Sequence, residues 1–265
     1  MLKKFSSLSE MFLRQALAGS GSLEKLNVTH MIISGIQKFT LLDFPGKIAC
    51  ILFTGGCNYR CGFCHNPEFV LPEELAKLRK SFIPEEAALN FLKQRRGMLD
   101  GVVISGGEPT IMPDLESFIG KVRNLGFAVK LDTNGNRPEV LRSLIDKGLV
   151  DYVAMDFKTS LPGYRSLVGS GADEIKLRES IELLKEGQVD YEFRTTLIRE
   201  VHTSAVLEMM RDTLAGAKRL YLQTFRSGIT LDSAFKDFHS FDTGETREIA
   251  KLFSENVEEV HIREG

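Results

Sequence analysis

Residues 101–136 read GVVISGGEPTIMPDLESFIGKVRNLGFAVKLDTNGN. The apolar, β-branched run at 102–105 has the composition of a strand. Positions 114–125 carry apolar residues at helical spacing, and Gly126 stands just past them, where a helix C-cap wants a residue that tolerates a left-handed backbone. A second strand-like run follows at 128–131. The same alternation extends outward in both directions. Further strand-like runs occupy 48–53, 152–155, 191–196 and 219–223, and further helical spacing occurs at 84–94, 138–147, 174–186, 204–214 and 243–253. Pro84 and Pro138 stand at the first turn of two of these helices. Strand–helix alternation repeated six times predicts an α/β fold, a parallel sheet covered by helices. A doubly wound sheet and a barrel, complete or partial, both satisfy the pattern. Both bind ligands at the C-terminal ends of the strands.

Composition narrows the function classes. The chain has 265 residues, 34 basic and 36 acidic, for a formal charge of −2. Near neutrality argues against a nucleic-acid footprint over the whole protein. No run approaches the ~18 apolar residues that a membrane helix needs. Four cysteines are too few for a disulfide scaffold, and three of them fall within eight residues. That crowding points to metal chemistry in a reducing compartment, and a cytoplasmic location is expected. Residues 1–30 differ from the rest. They hold four basic and two acidic residues, a short amphipathic stretch at 11–17 and a Gly-Ser-Gly-Ser run at 19–22. They read either as a mobile extension, even one preceding a true start at Met31, or as a helix that docks on the body or on a partner. Residues 31–265 read as the core domain.

The chemistry sits at the predicted strand ends. CNYRCGFC at 57–64 directly follows the first strand, after Gly55 and Gly56. Three thiolates at this spacing can wrap one compact soft-metal centre. A structural zinc would want a fourth ligand. His65 adjoins Cys64 too closely to aim at the same ion without strain, and Cys50 lies in mid-strand as a small buried hydrophobe. A [4Fe–4S] cluster ordinarily takes four cysteines, so three leave one iron open, as catalysis requires. Gly106-Gly107-Glu108-Pro109 follows the second strand, Asp132-Thr133-Asn134-Gly135 the third and Asp156-Phe157-Lys158 the fourth, while Arg194 lies in the fifth. Taken singly, these are also ordinary turns, a solvated pair and an arginine in need of a carboxylate.

Together they resemble the radical S-adenosylmethionine (SAM) superfamily. The resemblance implies a partial (β/α)6 barrel lined outside by helices, with Cys57, Cys61 and Cys64 holding a [4Fe–4S] cluster whose fourth iron chelates SAM. It places the Gly106-Gly107-Glu108 strip along SAM's methionine amino group and Phe63 near the adenine. Asn134, Asp156, Lys158 and Arg194 would contact the ribose and carboxylate, some of them helping to hold a monovalent cation. Radical chemistry borne by the cofactor requires no catalytic acid, base or nucleophile from the chain. Residues 36–46, the run Cys64-His65-Asn66-Pro67 and the run Met155-Asp156-Phe157-Lys158 further resemble the activases that generate glycyl radicals, those of anaerobic ribonucleoside-triphosphate reductase above all and those of pyruvate formate-lyase beside them. The implied partners are a glycyl-radical enzyme as protein substrate and flavodoxin or ferredoxin as electron donor. Other readings are a radical SAM enzyme acting on a small molecule or RNA, and a non-catalytic zinc or iron–sulfur module. Residues 161–171 and 225–240 are expected to frame an opening for the partner, and His202 and Gln223 are candidates for the cavity wall.

Overall fold

The computed structural model describes residues 31–228 and 230–263, and the structural statements that follow concern these. The expectations for residues 1–30 lie outside them. Eight strands form one sheet in sequential order: β1 Ile33–Thr40, β2 Ala49–Thr54, β3 Gly101–Gly106, β4 Ala128–Thr133, β5 Tyr152–Asp156, β6 Asp190–Leu197, β7 Arg219–Thr224 and β8 Glu259–Arg263. β1 runs antiparallel to β2, and every later neighbour pair is parallel. Sequential order excludes the doubly wound alternative, whose strand order reverses partway. β1 and β8 are the two edges and do not pair with each other, so the sheet is an open, partial barrel.

The helices are α1 Pro72–Leu78, α2 Glu85–Gln94, α3 Leu115–Asn124, α4 Pro138–Asp146, α5 Tyr164–Val168, α6 Glu174–Lys185, α7 Ser204–Thr213 and α8 Thr243–Ser254. The six strands and six helices read from periodicity are β2 to β7 and α2, α3, α4, α6, α7 and α8. Pro138 occupies the first helical turn of α4, whereas Pro84 is the N-cap of α2. Gly126 and Gly148 adopt φ of 93° and 60°, as left-handed caps should. The additional strands are the two edges. In β1 burial lapses over residues 37–39, and β8 reads EVHIR with no fully buried position, so neither gives a strong apolar signal. α1 and α5 have seven and five residues, too short for helical periodicity to register.

Alternation divides each central strand between two layers. Cys50, Leu52, Val102, Ile104, Val129, Leu131, Val153 and Met155 face the helices and pack with Phe118, Val122, Leu141 and Leu144. The opposite set faces the barrel interior. At the N-terminal ends of the strands Ala49, Ile51, Val103 and Tyr152 form an apolar floor with Phe44. Farther round, the interior turns polar. Glu192 is fully buried and accepts a 2.8 Å hydrogen bond from the Tyr152 hydroxyl. This floor closes the lower end of the barrel and leaves the C-terminal strand ends to carry the site.

Candidate active site

The loop after β2 carries the three motif cysteines into one cavity of about 230 Å³. Long-range hydrogen bonds fix this loop from several sides. Gly56 N–H donates to Phe69 O (2.7 Å) and Arg60 N–H to Val168 O (2.8 Å). Leu231 N–H donates to Cys64 O and Asp232 N–H to Gly62 O, both at 2.9 Å. Asn134 Nδ2 reaches Asn58 Oδ1 at 2.8 Å. The thiols are packed in apolar surroundings and beside one another. Burial pushes the Cys61 thiol up to about 12, and burial likewise raises Cys57 and Cys64. Such a trio calls for metal cations to be stable as thiolates. Among the described residues no three His, Cys, Asp or Glu side chains converge on a single ion. Three thiols lining one cavity suit a multi-iron cluster, the group that the resemblance implies. Cys50 is fully buried on the helix-facing side of β2, in the apolar role its position predicted.

The GGEP strip is welded to the cysteine loop. Gly107 N–H donates to Thr54 O (2.9 Å) and Glu108 N–H to Gly56 O (2.8 Å). A Cβ on Gly107 would lie 1.9 Å from Gly56 O, and Gly106 has φ of 115° with Thr54 backbone 2.3 Å from its would-be Cβ. Both glycines are thus demanded by protein backbone, whatever ligand also approaches them. Glu108 is buried, and its Oε1 accepts from Thr110 N–H (3.1 Å), the Thr110 hydroxyl and the Thr133 hydroxyl (2.7 Å). Its Oε2 accepts from Asn134 N–H (2.6 Å). Burial raises its pKa in spite of those bonds. The carboxylate expected to sit beside SAM's ammonium group is committed to tying the strip to the turn after β4.

A chain of charges crosses the cavity at the ends of β4, β5 and β6. Arg194 donates from Nη1 to Asp132 Oδ2 (3.0 Å) and from Nε to Asp156 Oδ1 (2.9 Å). Lys158 Nζ lies 3.0 Å from Asp156 Oδ2, and Lys130 Nζ pairs with Asp132 Oδ1. Ser105 Oγ donates to Asp132 Oδ2 (3.0 Å). Burial alone would raise both carboxyls, but Arg194 and the lysines outweigh it, lowering Asp132 and bringing Asp156 down to about 2. Burial alone would lower Lys158 and Arg194, and the carboxylates instead hold both above their ordinary values. Arg194 and Lys158 are thereby fixed as cations in the cavity wall, where they can attract an incoming carboxylate. A monovalent cation, which the resemblance placed here, would share carboxylate oxygens that Arg194, Lys158, Lys130 and Ser105 also engage.

All eleven residues singled out in the sequence line this one cavity: Cys57, Cys61, Phe63, Cys64, Gly106, Gly107, Glu108, Asn134, Asp156, Lys158 and Arg194. Phe63 packs 6.0 Å from the Phe235 ring, with Lys158 Nζ 5.8 Å from its own ring centre. The remaining expectations divide. Gln223 lines an adjoining lobe of about 220 Å³ that shares its other lining residues with the main cavity. His202 instead lies behind the wall, fully buried, accepting at Nδ1 from Ile198 N–H (2.9 Å) and donating from Nε2 to Lys158 O (3.1 Å). Burial lowers its pKa to about 4, so the neutral ring buttresses the Lys158 backbone. Residues 161–171 contribute no side chain to the cavity lining; Leu161, Tyr164, Leu167 and Val168 pack inward, and the segment supports the cysteine loop through Val168 O. Of the second segment, Leu231 and Asp232 lie against the cysteine loop through their backbone bonds to Cys64 O and Gly62 O. Sequence reasoning missed Lys130, Tyr59 and Asn136. Tyr59 is buried and donates to Asn136 Oδ1 (3.2 Å), bracing the cysteine loop against the turn after β4. A lysine inside the apolar run of β4 was the signal for Lys130; nothing local marks the other two.

Comparisons with known proteins converge on the same chemistry. The sequence pattern of the radical SAM superfamily matches residues 51–213. A Methanocaldococcus jannaschii protein provisionally named glycyl-radical enzyme activating enzyme is 33% identical over 237 residues, covering 88% of this chain and 95% of its own. The pyruvate formate-lyase-activating enzyme of Clostridium pasteurianum is 24% identical over 255 residues, covering 85% and 98%. Among solved structures, Streptococcus suis SuiB bound to precursor peptide SuiA superposes with a TM-score of 0.60 at 14% identity, over 80% of this chain and 48% of that one, a likeness of fold. The chain belongs to the radical SAM superfamily and is an enzyme of the class that includes the glycyl-radical enzyme activating enzymes.

Proposed function

We propose that this chain installs a glycyl radical on a partner enzyme, and that the partner is anaerobic ribonucleoside-triphosphate reductase. The observation that carries the reading is one cavity that gathers Cys57, Cys61 and Cys64, the Gly106-Gly107 strip and the Asp132–Arg194–Asp156–Lys158 chain. When bound at the three cysteines, a [4Fe–4S] cluster would pass one electron, taken from flavodoxin or ferredoxin, to SAM, splitting the sulfonium C–S bond into methionine and a 5′-deoxyadenosyl radical. The chain's own residues do the positioning. Lys158 and Arg194, held rigid by their carboxylates, present positive charge to SAM's carboxylate. The backbone of Gly106 and Gly107 offers the approach for its methionine end. Phe63, backed by Phe235, supplies an apolar face near the nucleobase and helps exclude water. The partner's glycine gives up one Cα hydrogen to the adenosyl carbon and keeps the unpaired electron, so 5′-deoxyadenosine leaves as a closed-shell product.

The motifs at 36–46, 64–67 and 155–158 support the reductase as partner. The relatives named for pyruvate formate-lyase support that enzyme as a second reading. The test incubates the reduced, reconstituted chain and SAM with either enzyme and records the glycyl radical by electron paramagnetic resonance. A signal on the reductase alone supports the first reading, and one on pyruvate formate-lyase alone the second. SAM cleavage with a diffusible substrate and no signal on either protein would overturn both.

A further inference from the structure

Seven large hydrophobic side chains stand exposed among the described residues, and five of them lie in one region: Phe39, Leu41, Leu42, Ile48 and Met98. Four belong to the hairpin that joins β1 to β2, and Leu42 in its turn is 83% exposed. Met98 lies in the turn before β3, which is bonded to that hairpin. Asp100 N–H donates to Ile48 O (2.7 Å), and Asp100 Oδ2 accepts from Ile48 N–H (2.9 Å). Scattered exposed hydrophobes need no explanation, but a concentration of them marks a contact surface. None of the five lines the cavity. The same hairpin and turn carry Lys38, Lys47, Arg95 and Arg96. None of these has a carboxylate partner among the described residues; Lys47 and Arg95 rest instead on the Phe44 and Phe91 rings, 5.7 and 5.4 Å from their centres. Two acids lie nearby, Asp43 held by the Thr40 hydroxyl and Asp100 by Ile48 N–H, so the rim of the patch is basic on balance.

Charge and register select the occupant. A second copy docked through a two-fold axis would set the basic rim against itself. Residues 1–30 join the body at Met31, beside Ile33, whose register partner Thr54 is at the opposite end of β2; they also carry four basic and two acidic residues, the sign of the rim. A lipid surface would have to take the Asp100 carboxylate, fixed on Ile48, toward hydrocarbon. An electron carrier seated here would stand a strand's length, roughly 17 Å, from the cysteine loop. A protein substrate is not so restricted, because it can grip one place and react at another. β1 is one of the two edges that bound the open side of the barrel, so a partner held by this hairpin stands beside that opening. Resting on the activase reading, we infer that the hairpin and the turn at Met98 are the docking surface for the glycyl-radical partner, which meets them with an apolar patch rimmed by acidic residues. The surface supplies affinity and partner choice and takes no part in SAM cleavage.

The test uses the full-length, reconstituted chain, SAM, dithionite and the reductase or pyruvate formate-lyase. It follows glycyl-radical formation by electron paramagnetic resonance as the partner's concentration is varied. The double variant Leu41→Ser/Leu42→Ser should raise the partner's KM about tenfold or more at unchanged kcat. Lys38→Glu/Arg96→Glu should raise it about three- to tenfold and flatten its dependence on salt. SAM cleavage without a partner should keep its wild-type rate in both. A partner KM within about twofold of wild type in Leu41→Ser/Leu42→Ser would overturn the assignment. If that variant instead loses a wild-type dimer in sedimentation, the surface belongs to a second copy. If it loses binding to phosphatidylserine vesicles, the surface belongs to lipid. Either result with an unchanged partner KM overturns the assignment. So does an equal fall in partner-free SAM cleavage, which would make the hairpin structural. A wild-type chain that cleaves SAM but leaves no radical on either protein defeats the activase reading itself, and this assignment with it.

Discussion

The inward face of the sheet holds two surfaces, one above the other, and they do opposite work. At the N-terminal ends Ala49, Ile51, Val103 and Tyr152 close over Phe44 with apolar packing. Two residues beyond Val103 on β3 and four beyond Tyr152 on β5, Ser105 and Asp156 line a charged cavity, together with Asp132 of β4 and Arg194 and Thr196 of β6. Val103 and Ser105 differ by a single inward position, and Tyr152 and Asp156 by two. The lesson is that strand direction, rather than strand identity, divides stability from chemistry in a parallel sheet. The floor earns its place by burying area. The mouth buries charge at a cost and offsets it with pairing.

That division can be broken in order of expected effect. Cys61→Ala should reduce 5′-deoxyadenosine formation to background, a loss of several orders of magnitude, while the sheet's circular dichroism is preserved. Collapse of the fold instead would make the cysteine loop part of the floor's work. Arg194→Met is next and tests the boundary most sharply. It leaves the half-buried Asp132 and Asp156 with only Lys130 and Lys158 as ion-pair partners, so it should cost roughly 1.5–3 kcal/mol in urea unfolding as well as SAM affinity. An unfolding free energy within 1 kcal/mol of wild type, on the order of a surface change, would show that the charge chain is not structurally coupled. Ile51→Ala, from the floor, should cost about 2–4 kcal/mol of stability and leave the SAM concentration dependence of cleavage as it was. A raised KM there would mean that floor and mouth communicate.

The smallest effect is a pH dependence from His202. Its folded pKa is depressed to about 4, below the unfolded value near 6.5. Between those limits the unfolded chain binds a proton that the folded chain does not, so stability falls as acid is added and levels off below pH ~4. The slope is about 1.4 kcal/mol per pH unit where the difference is one whole proton. His202→Asn should flatten the wild-type curve between pH 6.5 and 4.5 by that amount. Equal slopes in the two proteins would contradict a buried neutral ring behind Lys158.

How much of this was readable in the sequence follows the range of the interactions. Central strands and long helices carry their burial in local periodicity, and β2 to β7 emerged from it. The edges β1 and β8 are half solvated, so their pattern is blurred. The cysteines, GGEP and the runs around Asn134, Asp156 and Arg194 were readable because their residue types are unusual at strand ends. Their detailed roles were not. Whether Gly107 is small for SAM or for Gly56 O depends on a loop fifty residues away in the chain. Whether Glu108 meets an ammonium group or Thr133 and Asn134 depends on β4. Arg194 predicted a carboxylate partner, but only the register of β4, β5 and β6 makes it two.

The most direct measurement is anaerobic. The chain would be reconstituted with iron and sulfide, reduced with dithionite and given SAM. The account predicts 5′-deoxyadenosine and methionine in equal amounts, dependent on reduction and lost on exposure to air. A cluster that forms yet never cleaves SAM, with or without the reductase or pyruvate formate-lyase present, would contradict it and leave an electron-transfer or binding role for the site.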